Sequence, residues 1–528
     1  MSEIKAPASG LPVVQAGDIK TDRLTLKADV VVVGSGAGGA VTAYELARQG
    51  LDVIVLEAGP YIPSKDFTEH FSEALESLYE DHGAQANRDG DLLILQGRCV
   101  GGSTVVNGCV SFRTPDFILE EWREFHGLEN MTPETLEPYF ERVERNLSIA
   151  DNGPHEIARH SQLITAGAKK LGWSVKPHQR NVKQCALTGH CLSGCKTERK
   201  QSMLVTYLPW AVAHGARIHS DTRVTRVLAE NGEARGVEAE VVDPVSGAKV
   251  ADLRIDAPRV VLAAGAVQTP LLLLKSGLAN ASGEVGKNFA CHPSFFVLAR
   301  YPEPVHAWRG ALLGSYIDEF MRPEKGAFIL EGGGLGVAEM TMITEPGTGE
   351  PFVRYMQDVR HYSGLVTLIH DHNVGTISLR KGHKDIQYRL VDKDFSSMIK
   401  ALSAAARLHF ASGATEVFMP TTEHRVIRNE AEIEQVVSEV VNRPQHLRMV
   451  SYHPQGSCRM GADPARSVVG PNGETHDVRG LFVADASLIP TSTLVNPQTT
   501  VYAMASYIAD HMLGLKPIAM AHRRGEVA

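Results

Sequence analysis

From Asp29 the chain runs through four consecutive valines, a group of glycines, a helical stretch and a second apolar run ending at Leu56. Unbroken apolar runs of strand length belong to strands buried on both faces, as in a parallel sheet covered by helices. Residues 29–57 therefore predict a strand, a crossover helix and a parallel strand. Residues 65–90 mix charged and apolar positions at helical spacing, which predicts an amphipathic helix and a surface excursion. Three stretches, 217–230, 232–243 and 259–267, read as strands of a second sheet layer returning to the first unit. Between 291 and 450, strand-like alternation (364–379 and 384–391) is interspersed with helical segments (394–411 and 430–441), the pattern of a separate α+β unit. A strand over 480–490, a turn and a helix over 496–514 close the chain.

The glycines after the first strand carry chemistry. Gly34 permits the tight turn, Gly36 lets the backbone approach a pyrophosphate, and Gly39 lets helix and strand pack closely. Glu57 ends the second strand about 20 residues on, where a carboxylate accepts hydrogen bonds from an adenosine ribose. A strand before, a helix after and an acid at this spacing make the run a dinucleotide-binding fingerprint rather than a flexible loop.

Bulk properties narrow the partners. A length of 528 residues suggests roughly two to four domains, and 43% hydrophobic with 22% charged residues is an ordinary globular composition. A net charge of −8, with Lys and Arg dispersed, argues against nucleic acid or an anionic membrane surface as partner. No stretch approaches the ~20 apolar residues of a membrane span, and the first residues lack a basic flank and an apolar secretory core. The expectation is a cytoplasmic protein without a transmembrane segment, whose seven cysteines are thiols or ligands before they are disulfides.

Five blocks follow one another in a fixed order: the glycine fingerprint, GRCVGGSTVVNG (97–108), GAVQTPLLLLKSGLA (265–279), SYHPQGSCRMG (451–461) and VADASLIPTSTLVNPQTT (483–500). In content and order they resemble the glucose–methanol–choline (GMC) flavoprotein oxidoreductases from Val30 to the final helix, nearest the long-chain alcohol oxidase and Cys-rich bacterial dehydrogenase branches. Two departures, Ala279 where the family usually has Gly and a one-residue shift around Phe112 and Pro115, touch no chemistry. The resemblance implies FAD. It also implies an α/β FAD-binding Rossmann-like domain (25–115, 185–290 and 450–528) interleaved with an α+β substrate-binding domain (116–184 and 291–449). Gly101, Gly102 and Ser103 offer backbone N–H groups and Asn107 an amide to the flat part of the ligand, while Asp485 can bond its ribityl or pyrophosphate region. Asn496-Pro497 reads as a helix start, which with Gln498 brings a partial positive charge to the flavin's pyrimidine edge. Family members that tether FAD do so through a His one residue before the motif Asn. Val106 stands there, implying non-covalent FAD.

An alcohol gives up hydride from its carbinol carbon as its hydroxyl proton leaves, so a base must lie within hydrogen-bond reach. His453 is the candidate, because neutral imidazole accepts near pH 7. The resemblance pairs it with Asn496, which orients the hydroxyl and stabilises an alkoxide. An Asn capping its own helix could not also face the substrate, and the family pattern favours the substrate role. His292 reads as structural, Arg98 as part of the flavin-domain framework, and His370 and His372 as alternating strand positions. The expected function is FAD-dependent oxidation of a primary or secondary alcohol to a carbonyl, by a dehydrogenase passing electrons to a separate acceptor protein. An oxidase using dioxygen and a flavin-containing hydroxynitrile lyase are the alternatives.

Three cysteines, Cys185, Cys191 and Cys195, fall within QCALTGHCLSGCKTERK (184–200). Three thiolates fit a [3Fe–4S] cluster, which one branch of the family carries in this part of the chain, or zinc completed by His190. Lys196, where the cluster-bearing branch tends to have Pro, speaks against the cluster. A disulfide is disfavoured in a cytoplasmic setting and leaves one thiol over. The remaining reading is three ordinary thiols.

Overall fold

The computed structural model describes residues 10–344, 348–372, 374–422, 425–442 and 446–515. Val30–Val33 pairs in parallel with Val53–Leu56 on one side and Arg259–Leu262 on the other. Arg217–His219 and Leu481–Val483 extend this sheet to five parallel strands. Every residue of Val30–Val33 and Val53–Leu56 is buried, which accounts for their unbroken apolar sequences. Helix Ala37–Ala47 makes the crossover and packs against the last helix, Gln498–Met512.

Two of the segments expected in a second layer, 217–219 and 259–262, are thus strands of the first sheet. The second layer is a separate four-stranded sheet, with Arg23–Lys27, Lys249–Asp256, Glu233–Val242 and Thr222–Glu230 in spatial order. Lys249–Asp256 has no apolar run to announce it. Ala251, Leu253 and Ile255 face the core while charged residues between them face out.

The third sheet is antiparallel around Leu313–Ile317, Phe328–Gly333, Tyr362–Ile369 and Ser294–Arg300, with Val175–Pro177 at one edge and Glu416–Phe418 towards the other. Met449–Ser451 pairs with both Ser294–Arg300 and Leu92–Ile94, so distant parts of the chain meet at its border. Helix Asp392–Ala411 covers one face, burying Met398, Leu402 and Leu408 against Phe295, Val297 and Leu365. Burial of each such side chain is worth about 1.5–3 kcal/mol. The other face carries Phe296, Val366 and Glu331 and looks into a cavity.

Candidate functional site

The carboxyl ends of the parallel strands and the uncovered face of the antiparallel sheet enclose a cavity of about 780 Å³. Ligands of open α/β sheets bind at this end of the strands. Of the residues expected at a cofactor, Gly34, Gly36, Glu57, Gly102, Ser103, Asn107, Asp485, Pro497 and Gln498 line the cavity, as do His453 and Asn496. Gly39 and Gly101 stand behind the wall. A Cβ on Gly39 would lie 2.0 Å from the Gly34 carbonyl oxygen, and the Gly101 N–H donates to Ser35 Oγ at 3.0 Å.

Gly36 is glycine for another reason. A Cβ there would meet no protein atom nearer than Gly102 Cα at 3.9 Å, so packing does not demand the missing side chain. The space beside the two glycine backbones belongs to the cavity. Bare backbone at a helix start, with a carboxylate beside it, fits the phosphates and ribose of a dinucleotide. That carboxylate is Glu57. Its Oε2 accepts from Ser35 N (3.0 Å) and Ser35 Oγ (2.6 Å), its Oε1 accepts from Gly59 N (2.9 Å), and burial still raises its pKa.

Other expected ligands are already engaged. Asp485 Oδ2 accepts from Gly265 N (2.8 Å) and Thr269 Oγ1 (2.6 Å), and Oδ1 accepts from Ser487 N (2.8 Å). It pins the start of helix Gly265–Ser276 to the cavity wall. Asn107 Nδ2 donates to Gln498 Oε1 at 2.8 Å, and Gln498 Nε2 donates to Val110 O at 2.5 Å, so the two amides brace one another. Arg98 also lines the cavity, donating to Ala58 O at 3.1 Å.

Asn496 Nδ2 lies 3.2 Å from His453 Nε2. Asn496 does not cap its own helix. Pro497 is the cap residue, the helix begins at Gln498, and no side chain closes its N-terminus. On its other side, His453 Nδ1 lies 3.3 Å from His292 Nδ1, and His292 Nε2 lies 3.1 Å from Gln455 Nε2. His292, expected to be structural, touches the pair directly. Burial brings His453 down to about 3 and holds the ring neutral. Burial and then the neighbouring His453 push His292 well below the usual value. His370 and His372 do not line the cavity, and His372 Nδ1 bonds Asp394 Oδ1 at 2.7 Å.

No motif points to Glu331. It sits in an apolar strand, yet it lines the cavity at 2% exposure. Its nearest basic neighbour, His178 Nε2 at 3.7 Å, is brought to about 3 by burial and is neutral. Desolvation raises Glu331 to about 8, against a hydrogen bond from Asn496 that lowers it. The only sign in the sequence is an acid in the middle of the apolar run ILEGG.

The cysteine loop does not form a ligand set. Cys185 Sγ accepts from Arg180 Nη1 at 3.9 Å, and Cys195 Sγ accepts from Lys200 N at 3.4 Å. Cys191 turns instead to Cys109, whose thiol hydrogen bond lowers its pKa, with further help from Lys200 and Arg180. Among the described residues no group of three or more His, Cys, Asp or Glu side chains is arranged to hold a metal ion. Cys185, Cys191 and Cys195 are thus not gathered into the set that a three-iron cluster or zinc would need. What the loop supplies is a tether: buried Lys200 donates from Nζ to Val105 O (2.6 Å), Asn107 O (3.0 Å) and Cys191 O (2.8 Å), tying it to the segment that follows Ser103.

Comparison with known proteins agrees with this geometry. Residues 75–294 and 371–505 match the family model described as GMC oxidoreductase, and residues 32–91 match an NAD(P)-binding Rossmann-like domain. An uncharacterized GMC-type oxidoreductase of Mycobacterium tuberculosis is 34% identical over 96% of this chain and 78% of its own length. A long-chain-alcohol oxidase of Arabidopsis thaliana is 28% identical over 96% of this chain and 70% of its own. The structure of pyridoxine 4-oxidase from Mesorbium loti shares the fold, with a TM-score of 0.69 at 20% identity over 92% of this chain and 99% of that one. With two GMC models covering most of its length and a relative 34% identical over 96% of it, the chain belongs to the GMC oxidoreductase family.

Proposed function

We propose that the protein oxidises an alcohol to a carbonyl by hydride transfer to non-covalently bound FAD in this cavity. The observation that carries the reading is the His453–Asn496 pair, 3.2 Å apart, in the wall of the cavity that also holds the glycine cradle. Gly34, Gly36, Gly102 and Ser103 would hold the cofactor by backbone, Glu57 its ribose, and the start of helix Gln498–Met512 adds partial positive charge. Bound FAD supplies a two-electron hydride acceptor. Asn496 donates to the substrate oxygen and stabilises the charge that grows there. His453 accepts the hydroxyl proton at Nε2, the nitrogen facing Asn496. Because burial makes a lasting imidazolium costly, proton uptake is timed with departure of the hydride.

The long-chain-alcohol oxidase relatives support an elongated alcohol as substrate, and their being oxidases favours dioxygen over a separate acceptor protein. A cytoplasmic location completes the proposal. The experiment is aerobic turnover of the FAD-loaded enzyme across short and long primary alcohols, reading aldehyde and oxygen uptake together. Aldehyde matched by oxygen consumption supports the oxidase form. Aldehyde formed only with an added electron acceptor restores the dehydrogenase, and no aldehyde from any alcohol removes the reading.

A further inference from the structure

Open space continues past His453. A second cavity of about 450 Å³ follows along the same face of the antiparallel sheet, and Phe296 lines both. The strand register shows how. Phe296 lies opposite Val366, and Val366 opposite Glu331, one row of side chains across three strands. The next row on that face is Phe418, Leu298, Gly364 and Gly333, and Tyr362 lies beyond. Val366 and Glu331 line the first cavity; Leu298, Phe418 and Tyr362 line the second. Phe296 stands at the boundary.

Its ring rests on bare backbone. A Cβ on Gly364 would lie 2.1, 2.3 and 2.9 Å from ring atoms Cζ, Cε1 and Cε2, and one on Gly333 would lie 3.4 Å from Cε2. Gly333 and Gly364 are register partners, so the ring covers a patch of two adjacent strands that carries no side chains. An aromatic ring with open space on both sides and glycine beneath is a partition rather than an interlocked core residue.

We propose that the second cavity is the tail site of an elongated alcohol, and that Phe296 sets the length of tail the enzyme accepts. This rests on the reading that His453 and Asn496 bind the hydroxyl. With the hydroxyl held there, the apolar chain leads over Phe296 and along Leu298, Phe418 and Tyr362, rows about 7 Å apart on the pleated face. Exposed Arg354 and Arg428 stand at the outer rim, so the tail ends at water.

The test uses alkyl methyl ethers from butyl to hexadecyl, which bind without a hydroxyl to oxidise, titrated calorimetrically into the FAD-loaded enzyme. Affinity is expected to rise about fourfold per buried methylene and to keep rising into the long members of the series. Phe296→Trp, which fills the passage, should stop the rise at shorter tails and weaken the longest ethers about tenfold or more relative to butyl. Phe296→Ala should tighten the long ethers, and Phe296→Leu carries the same expectation if the alanine variant does not fold. Matching chain-length profiles in wild type and variants overturn the proposal, as does a wild-type profile that levels off at short tails. Long ethers bound in this pattern by an enzyme that oxidises no alcohol refute the catalytic reading alone.

Discussion

His292 and His453 face each other through their Nδ1 atoms, 3.3 Å apart, so one ring must donate and the other accept. At the outer ends Asn496 Nδ2 reaches His453 Nε2, and Gln455 Nε2 reaches His292 Nε2. An amide nitrogen only donates. Donors at both ends each call for a lone pair on Nε2, which would put both ring protons on Nδ1, where the contact has room for only one. Gln455 is held in this orientation by Thr493 N at Oε1 (3.2 Å) and by its own donation to the His453 carbonyl (3.1 Å). The chain is one acceptor short, at the contact that decides whether His453 Nε2 keeps a lone pair.

Gln455→Glu supplies that acceptor. Its carboxylate accepts a hydrogen bond from His292 Nε2–H, His292 then accepts from His453 at Nδ1, and His453 Nε2 keeps its lone pair. The ¹⁵N shift of His453 Nε2 is expected at its unprotonated value, with kcat/KM maintained or raised. A protonated Nε2 in this variant contradicts the relay.

Asn496 contributes a donor aimed at developing charge, and loss of one such donor costs about 10²–10³ in kcat. Asn496→Ala is expected to fall in that range with little change in KM. Asn496→Asp should fall at least as far, because a carboxylate in place of the amide donor opposes negative charge on the substrate oxygen. Steady-state kinetics on the two variants decides between these outcomes and a loss confined to KM.

Stability should respond to pH in two opposed ways. Burial holds His160 and His409 at about 4 and His178 at about 3. The unfolded chain binds protons at these rings near 6.5, so stability declines as pH falls from about 6.5 towards 3. Glu331, raised to about 8, keeps in the folded state a proton that the unfolded chain releases near 4.5. Its contribution is therefore full below about 4.5 and is lost as pH rises through 8. His178→Phe, in a site already shared with the rings of Phe112 and Tyr316, should flatten the acid limb of Tm against pH. Glu331→Gln should flatten the alkaline one.

Two neighbouring glycines separate folding from cofactor binding. A Cβ on Gly38 would lie 1.5 Å from the Ala484 carbonyl oxygen, so Gly38→Ala should cost about 1–3 kcal/mol or prevent folding. Gly36→Ala meets no such obstacle in the protein and should leave apo-protein stability within about 0.5 kcal/mol. It should nevertheless purify with much less FAD. The ratio of flavin to protein absorbance, set beside apo-protein melting, distinguishes the two.

What could be read from sequence was what is local. The strand–turn–helix–strand from Val30 to Glu57 is set by residues within one short segment, and Gly34 and Gly39 have the steric reasons that their spacing implies. Asn496 and His453 were recognisable because each lies in a long, ordered block. Glu331 was hidden because an acid within an apolar strand says nothing about which face it takes or what lies opposite. Cys191 was grouped with its sequence neighbours, yet its partner is Cys109, brought to it by tertiary folding. His292 passed as structural because its contact with His453 joins residues 161 positions apart.

The central claim is that hydride leaves the alcohol carbon as His453 takes the hydroxyl proton. Its most direct test is anaerobic stopped-flow mixing of the FAD-loaded enzyme with a long-chain primary alcohol and its α-dideuterated form, in wild type and His453→Ala. The account predicts flavin bleaching in wild type that is slowed by deuterium, and bleaching about 10²–10⁴-fold slower in the variant. Bleaching that is insensitive to deuterium and equally fast without His453 would contradict it.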